Sequence, residues 1–171
     1  DTDKSTNSIN FTKYYEIPSA ITEYDHILIK KNIESLLCET VKCRLSSDRQ
    51  IGCLLSGGLD SSLVASIAER ELKLQERQLH TFSIGMAGST DKYYAKLVSE
   101  FIDSIHTHIE LPEEEWLKAI KEVVRITEKF DITTVRASTG QYLISKWIAE
   151  HTDIKVVLIG DGSDELCAGY M

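Results

Sequence analysis

The chain has 171 residues, 42% hydrophobic and 27% charged, which is the composition of a globular protein and excludes a wholly disordered or collagen-like one. It carries 27 acidic and 19 basic residues, a net charge of −8, and so lacks the general positive potential of proteins that bind nucleic acid or anionic membranes. It has no apolar run of about 18 residues that would predict a transmembrane helix. The length predicts one domain or a truncated piece of a larger one. Four cysteines without a CxxC pair are typical of reduced thiols, so we expect a protein of the cytoplasm.

In chain order, residues 1–20 are polar, lack periodicity and predict a linker. Apolar residues then recur at helical spacing and predict an amphipathic helix over about 22–46, with Ile29, Ile33, Leu36, Leu37 and Val41 on one face. Beyond it, short apolar runs alternate with helical patterns. The predicted strands are 51–55, 79–84, 106–111 and 154–159, and the predicted helices are about 60–73, 93–102, 112–128 and 138–151, with a polar loop at 129–137.

This alternation predicts an α/β fold, in which parallel strands joined by right-handed crossovers form an open sheet with helices on both faces. Ligands bind such sheets beyond the carboxyl ends of the strands. We therefore expect functional residues in the loops after the first, second and fourth predicted strands. In the third predicted strand, the period of two places His106 and His108 on the same face, without the spacing of a metal site.

The loop after the first predicted strand, residues 56–62, has the sequence Ser-Gly-Gly-Leu-Asp-Ser-Ser. Its two glycines allow a sharp turn that points N–H groups at a ligand, and the start of the next helix adds positive potential, so the loop predicts an anion site. No lysine follows, which excludes a Walker A loop. Asp60 would repel a phosphate unless a divalent cation bridged the two, so the pattern indicates a metal–phosphate site. A plain turn with a helix cap is the alternative.

Three segments in order resemble known motifs. Residues 56–61 resemble the SGGxDS motif of the ATP pyrophosphatases, the PP-loop superfamily with an adenine nucleotide α-hydrolase-like fold. Residues 130–139 are similar to the YDxTTxRAS segment of asparagine synthetases, and residues 160–165 with Gly169 and Tyr170 are similar to their SGEGSDExxxGY segment. The chain thus resembles the synthetase domain of the glutamine-hydrolysing asparagine synthetases.

The resemblance has implications for organisation and activity. It implies that residues 1–20 are a linker from an upstream glutaminase domain and that 21–171 are the N-terminal part of a truncated synthetase domain, which we expect to be inactive alone. The implied reaction amidates aspartate in two steps: aspartate attacks the α-phosphorus of ATP, bound with Mg²⁺, to give β-aspartyl-AMP and pyrophosphate, and ammonia derived from glutamine then displaces AMP. The implied partners are ATP, aspartate and ammonia, without nucleic acid or membrane, and the resemblance is compatible with a homodimer of the full-length protein.

The resemblance also assigns roles by position. It implies contacts with ATP for Leu54, Ser56, Gly57, Gly58, Asp60, Ser61, Ile84, Ile159 and Gly160. It implies Asp60 and Asp164 as ligands of Mg²⁺. The implied catalytic residues are Thr133, Thr134, Arg136 and Asp161.

Two positions depart from the family pattern, since Ile159 and Asp161 stand where the family has serine and glutamate. That glutamate is implied to take a proton from the attacking ammonia, and Asp161 keeps the carboxylate on a side chain one methylene shorter. The departures leave two alternatives open. One is a β-lactam-synthetase-like enzyme, whose second nucleophile is internal, and the other is a non-catalytic nucleotide-binding paralogue.

Overall fold

The computed structural model describes residues 2–3, 8–9, 11–16, 25–167 and 169. The chain forms two compact units, residues 1–35 and 36–171. In the first unit, two short strands, β1 (Thr2–Asp3) and β2 (Ser8–Ile9), pair antiparallel. The sequence did not predict these strands, because each is only two residues long and shows no alternation. The assignment of residues 1–20 as a linker stays a prediction.

Helix α1 (His26–Arg44) begins with a side-chain cap, because Asp25 Oδ1 accepts hydrogen bonds from the N–H groups of Ile27 at 2.8 Å and Leu28 at 3.4 Å. The predicted start near residue 22 lies outside the described residues. The predicted apolar face is buried only near the end of the helix, where Val41 is 5% exposed while Ile33 and Leu36 are more than half exposed.

The second unit alternates strands and helices in the predicted order. Its elements are β3 (Ile51–Leu54), α2 (Leu59–Lys73), β4 (His80–Gly85), α3 (Thr90–Ile102), β5 (Ile105–Glu110), α4 (Glu113–Thr127), α5 (Ile132–His151), β6 (Val156–Leu158) and α6 (Ser163–Cys167). No helix among the described residues is long and apolar enough to span a membrane.

The four strands β3 to β6 form one parallel sheet in the order β5-β4-β3-β6. The chain runs outward from β3 through β4 to β5 and then returns to the other side of β3 to add β6. The sheet therefore has a topological switch point between β3 and β6, where loops leave their strands in opposite directions and open a crevice.

Helices cover both faces of the sheet, as predicted, and each face has its own hydrophobic cluster. The cluster on one face joins α1, α2 and α3 to the sheet, with the buried residues Val41, Leu45, Ile51, Cys53, Leu55, Ala65, Ile67, Ala68, Leu72, Leu79, Ala95, Ile102 and Leu158. The cluster on the other face joins α5 to the sheet through Phe82, Ile109, Ile144, Ile148 and Ile154. Burying a valine, leucine, isoleucine or phenylalanine side chain contributes ~1.5–3 kcal/mol to stability. The two clusters therefore fix the strands against the helices on each face.

The predicted polar loop at 129–137 is wrong, because α5 already begins at Ile132. Asp131 caps the helix by accepting a hydrogen bond from the Thr134 N–H at 2.9 Å, and the bonds from Thr134 lower the pKa of the Asp131 carboxyl. The first turns of the helix are exposed, so their polar residues resemble a loop in sequence. Other bounds also differ, among them the start of α3, which is at Thr90 instead of Tyr93, and both ends of β6, which is limited to Val156–Leu158.

Candidate functional site

A cleft of about 730 Å³ lies beyond the carboxyl ends of β3, β4 and β6. Residues 54–56 and 58–61 line it from the β3–α2 connection, residues 82–84 from β4, and residues 159–165 from the loop after β6. Helix α5 and Trp116 of α4 close another side. The cleft therefore stands at the switch point of the sheet. It is lined by the loops after β3 and β6, in which the sequence predicted functional residues, and by the end of β4 itself instead of the loop that follows it.

The loop after β3 is held by hydroxyl groups around the start of α2. Ser56 Oγ lies 3.0 Å from Ser61 Oγ and accepts a hydrogen bond from the Gly58 N–H at 3.2 Å, while Ser62 Oγ donates to the Gly58 carbonyl at 2.6 Å. Gly58 is the N-cap of α2, and no side chain among the described residues caps the helix. The N–H groups of the first turn thus remain available to an anion, with the helix dipole behind them.

Gly57 has the backbone conformation that makes this loop possible. Its φ is +85°, and a Cβ at this position would collide with the backbone of Tyr94 and lie 2.7 Å from the amide nitrogen of Ala95. Any other residue would therefore be strained and would push the loop away from α3.

The loop after β6 packs directly on the start of α2. A Cβ at Gly160 would lie 2.9 Å from the Ser61 nitrogen and 3.0 Å from the Asp60 carbonyl carbon. Ser163 Oγ donates to the Gly160 carbonyl at 2.8 Å, which holds the loop backbone. As a result Asp60, at the start of α2, and Asp164, at the start of α6, line the same cleft, although the chain separates them by about 100 residues.

The two carboxylates fit a magnesium ion that is completed by substrate. Among the described residues no group of three or more His, Cys, Asp or Glu could hold a metal on its own. Mg²⁺ commonly uses one or two protein carboxylates, with phosphate oxygens and water filling its other positions. Asp60 and Asp164 supply that number of carboxylates beside the anion site at α2.

The backbone of Ile84 points to the open end of the sheet. The pairing of β3 with β4 ends at Leu54 and Phe82, and the last bond runs from the Leu55 N–H to the Phe82 carbonyl at 2.7 Å. Alternate residues of a strand direct their N–H and C=O groups to the same side, so those of Ile84 face the β3 side, beyond the end of β3. They can therefore bond a ligand in the cleft while the side chain packs against the core.

Ile159 and Leu54 supply apolar surface to the cleft, and the exposed Ile159 side chain stands where a family serine was expected. Every residue predicted to contact ATP lines the cleft except Gly57, which instead packs against Tyr94 and Ala95 of α3. The geometry thus brings the predicted nucleotide-contact and metal residues together.

Sequence reasoning missed the face that α5 presents to the cleft. Ala137, Gly140, Gln141 and Ile144 all line it, at the i, i+3, i+4, i+7 spacing of one helix face. Gln141 Nε2 donates a 2.6 Å hydrogen bond to Asp161 Oδ2. That spacing was the signal that could have identified the face, and the wrong start of α5 obscured it.

The structure does not bring Thr133, Thr134 and Arg136 into the cleft. They lie on the first turns of α5, before Ala137, the first residue of this helix to line the cleft. Arg136 is exposed, and the Thr134 N–H is engaged by Asp131. Their catalytic roles stay predictions.

Comparison with known proteins identifies the family. The asparagine synthase family model matches residues 32–171. Two relatives are the glutamine-hydrolysing asparagine synthetases of Homo sapiens, 50% identical over 145 residues that cover 84% of this chain and 26% of that protein, and of Mus musculus, 46% identical over 160 residues that cover 92% and 28%. The chain thus spans little more than a quarter of the length of these relatives.

Two solved structures are similar in fold. The NH3-dependent NAD synthetase of Campylobacter jejuni has a TM-score of 0.53 at 18% identity, covering 82% of this chain and 60% of that one, and the NMN synthetase of Francisella tularensis has a TM-score of 0.54 at 15% identity, covering 82% and 58%. The family match over most of the chain and the identity to these synthetases show that the chain belongs to the asparagine synthase family.

Proposed function

We propose that this chain supplies the ATP-binding and aspartate-activating site of an enzyme that makes asparagine from aspartate. The observation that carries the proposal is the convergence of the Ser-Gly-Gly-Leu-Asp-Ser-Ser loop and the loop after β6 on one cleft at the switch point of the sheet. The membership of the asparagine synthase family supports the choice of reaction.

ATP would bind with its phosphates at the start of α2. The uncapped N–H groups there and the hydroxyls of Ser56 and Ser61 would cradle phosphate oxygens, and the backbone of Ile84 would bond the adenine. Mg²⁺, held by Asp60 and Asp164, would neutralise phosphate charge and thereby favour departure of pyrophosphate. This arrangement turns a site with two carboxylates into one that accepts a polyanion.

The first step forms a mixed anhydride. One oxygen of the aspartate side-chain carboxylate forms a bond to the α-phosphorus, and the bond from that phosphorus to the bridging oxygen of the β-phosphate breaks, which releases pyrophosphate with the electron pair. Thr133, Thr134 and Arg136 would contact the phosphate and aspartate, and the guanidinium of Arg136 suits a carboxylate bidentately. These residues stand outside the cleft of the structure, so their part in the step requires the start of α5 to approach the substrate.

The second step transfers nitrogen. Ammonia attacks the carbonyl carbon of β-aspartyl-AMP, the carbon–oxygen bond to AMP breaks, and the carboxylate of Asp161 takes the proton that the nitrogen loses. A positioned carboxylate base of this kind typically contributes ~10²–10⁴-fold to the rate. The ammonia would come from glutamine through a glutaminase domain upstream of this chain. The full-length protein would lie in the cytoplasm and could form a homodimer.

The test is asparagine formation by the full-length protein that carries this sequence. With ATP, Mg²⁺, aspartate and ammonia we expect one AMP and one pyrophosphate per asparagine. Asp60→Asn should lower the rate at least ~100-fold, because the loop then loses the charge that holds the metal over the phosphates.

Asp153→Asn is the matched control, because Asp153 is an exposed aspartate that precedes β6 at the opposite end of the sheet from the cleft. It should keep the parental rate. Formation of ADP and phosphate instead of AMP, or an Asp60→Asn variant with parental activity, would contradict the proposal.

A further inference from the structure

Asp161 is a carboxylate with little to hold it in place except one glutamine. It stands between Gly160 and Gly162, whose φ is +93°, so neither neighbour offers a side chain to pack against it. Its own side chain is exposed. Among the described residues, the hydrogen bond from Gln141 Nε2 to Asp161 Oδ2, at 2.6 Å, is the one bond or ion pair to this carboxylate.

The backbone under Asp161 is fixed separately from its side chain. Gly160 packs against the start of α2, and its carbonyl accepts the bond from Ser163 Oγ at 2.8 Å. These contacts set the position of the Asp161 Cα but leave its χ angles free. A bond from helix α5 to one carboxylate oxygen, Oδ2, therefore favours one orientation of the side chain, and among the described residues no hydrogen bond engages the other oxygen, Oδ1.

Gln141 is suited to this task by its position and by its charge. It lies in the middle of α5, flanked on the same face by Gly140 and Ile144, and the ring of Trp116 lies over Gly140. Its amide donates a hydrogen bond but adds no charge, so it orients a carboxylate without neutralising it. A lysine or arginine at this position would form an ion pair and compete with the proton that a base must accept.

We propose that Gln141 is a positioning residue for nitrogen transfer, which orients the Asp161 carboxylate towards the attacking amine. The inference rests on the proposed function, because it requires Asp161 to act as the base. It also explains how the shorter aspartate serves: the hydrogen bond from α5 supplies the orientation that the side chain cannot supply itself. A misplacement of about 1 Å at a reacting group can cost ~100-fold in rate.

The test separates the two steps of the reaction in the full-length protein. Gln141→Met preserves side-chain length and removes the donor. We expect it to lower asparagine formation from ammonia by ~10- to 100-fold, while aspartate-dependent ATP–pyrophosphate exchange and the KM for aspartate stay at parental values. Gln141→Glu should be at least as damaging, since it places a second carboxylate against Asp161. Gln78→Met, which removes the exposed amide that donates to the Asp103 carbonyl at 2.8 Å, should change neither activity.

A double-variant cycle shows whether Gln141 acts through Asp161. In an Asp161→Asn background, Gln141→Met should have little further effect on asparagine formation, because the group that it orients is gone. Additive losses, or a Gln141→Met variant with reduced exchange or a raised KM for aspartate, would overturn the inference, since Gln141 would then act on aspartate directly.

Failure of the underlying proposal gives a different result. If Asp161→Asn transfers ammonia at the parental rate, Asp161 is not the base, and the inference about Gln141 falls with it. If Asp161→Asn is slow and Gln141→Met is not, the role of Asp161 stands and only the positioning role of Gln141 is refuted. Thermal unfolding of each variant shows that the comparison is made between folded proteins.

Discussion

At the scale of single residues, glycines determine how closely the two loops that line the cleft approach the helices they pack against. Gly160 allows the loop after β6 to touch the backbone of Asp60 and Ser61, and Gly57 allows the loop after β3 to touch α3. Both contacts are made against backbone, which cannot move aside as a side chain can. The position of the loop after β6, which leads to Asp164, against the start of α2 therefore depends on the absence of a side chain at Gly160.

We expect Gly160→Ala to lower the free energy of unfolding by ~1–3 kcal/mol, the usual cost of forcing an extra carbon into a packed site, and to weaken ATP binding as well. Chemical denaturation and ATP titration measure the two effects. Gly58→Ala is the control for stability. Its φ of −70° suits any residue, and the new Cβ meets only the movable Ser56 hydroxyl at 3.3 Å, so its cost should stay below ~1 kcal/mol. Equal losses in the two variants would refute the packing argument.

Most of the candidate site could be predicted from the sequence because its residues are local. The loop at 56–62 and the loop at 159–164 each follow a strand. Knowing that the strands are parallel was therefore enough to place both loops at one edge of the sheet. The pairing of Gln141 with Asp161 could not be predicted, because it joins residues 20 positions apart on elements whose relative rotation the pattern does not determine.

At the scale of elements, β4 and β5 share a seam of polar side chains on the face packed by α3. The ring nitrogens of His106 lie 2.9 Å from Thr81 Oγ1 and 3.1 Å from Ser83 Oγ, and Ser83 Oγ lies 2.8 Å from His108 Nδ1. The predicted alternation, with both histidines on one face, is thus confirmed. Burial lowers the pKa of His106, with the neighbouring His108 adding to the effect, and burial also lowers the pKa of His108.

This seam should make the fold sensitive to mild acid. A histidine whose pKa is lower in the folded state takes up its proton mainly on unfolding, so stability is complete above the unfolded pKa of about 6.5 and falls as the pH drops through it towards the folded pKa. We expect the urea midpoint of unfolding to fall between about pH 7.5 and pH 5.5. His106→Gln, which can still bond Thr81 and Ser83 but does not titrate, should reduce this pH dependence. If the urea midpoint of His106→Gln fell by as much between about pH 7.5 and pH 5.5 as that of the parent protein, the assignment of the pH dependence to His106 would be refuted.

The wrong prediction of a loop at residues 129–137 shows what periodicity cannot resolve. Residues 129–137 were predicted as a polar loop, yet Asp131 caps α5 and the helix starts six residues before its predicted beginning at 138. Ile132 and Val135 are the apolar residues of the first turn, and two positions are too few to establish a helical period. Only the capping pattern, an aspartate three residues before Thr134, marked the start.

At the scale of the whole molecule, the strand order β5-β4-β3-β6 brings together the parts of the proposed phosphate site, although the chain is acidic. The net charge of −8 is spread over the sequence, while the switch point gathers the start of α2 and the loop after β6 at one crevice. In the proposed site, the helix dipole and a metal held by two carboxylates would act over a few ångströms, where they would outweigh distant charges that salt screens beyond about 10 Å. The fold class could be predicted from the alternation alone, but the strand order could not, because each crossover can place its strand on either side.

The strand order does not distinguish asparagine synthesis from a β-lactam-synthetase-like reaction or from non-catalytic nucleotide binding. A measurement of the first step, the attack on the α-phosphorus of ATP, distinguishes the three. If the full-length protein makes asparagine, aspartate should stimulate the exchange of labelled pyrophosphate into ATP, because the carboxylate of aspartate attacks the α-phosphorus reversibly before ammonia arrives. A β-lactam-synthetase-like enzyme should instead show exchange that depends on a different carboxylate substrate bearing its own internal nucleophile, and a non-catalytic paralogue should bind ATP with no exchange at all. The exposed Ile159 and the short Asp161 are the residues that make the comparison necessary, since they line the cleft and depart from the family pattern. We expect aspartate-dependent exchange that Asp60→Asn abolishes and Asp161→Asn leaves intact, because in the proposed function Asp60 would hold the metal and Asp161 would serve only the later proton transfer. Exchange without aspartate, or its loss in Asp161→Asn, would refute this division of the two carboxylates.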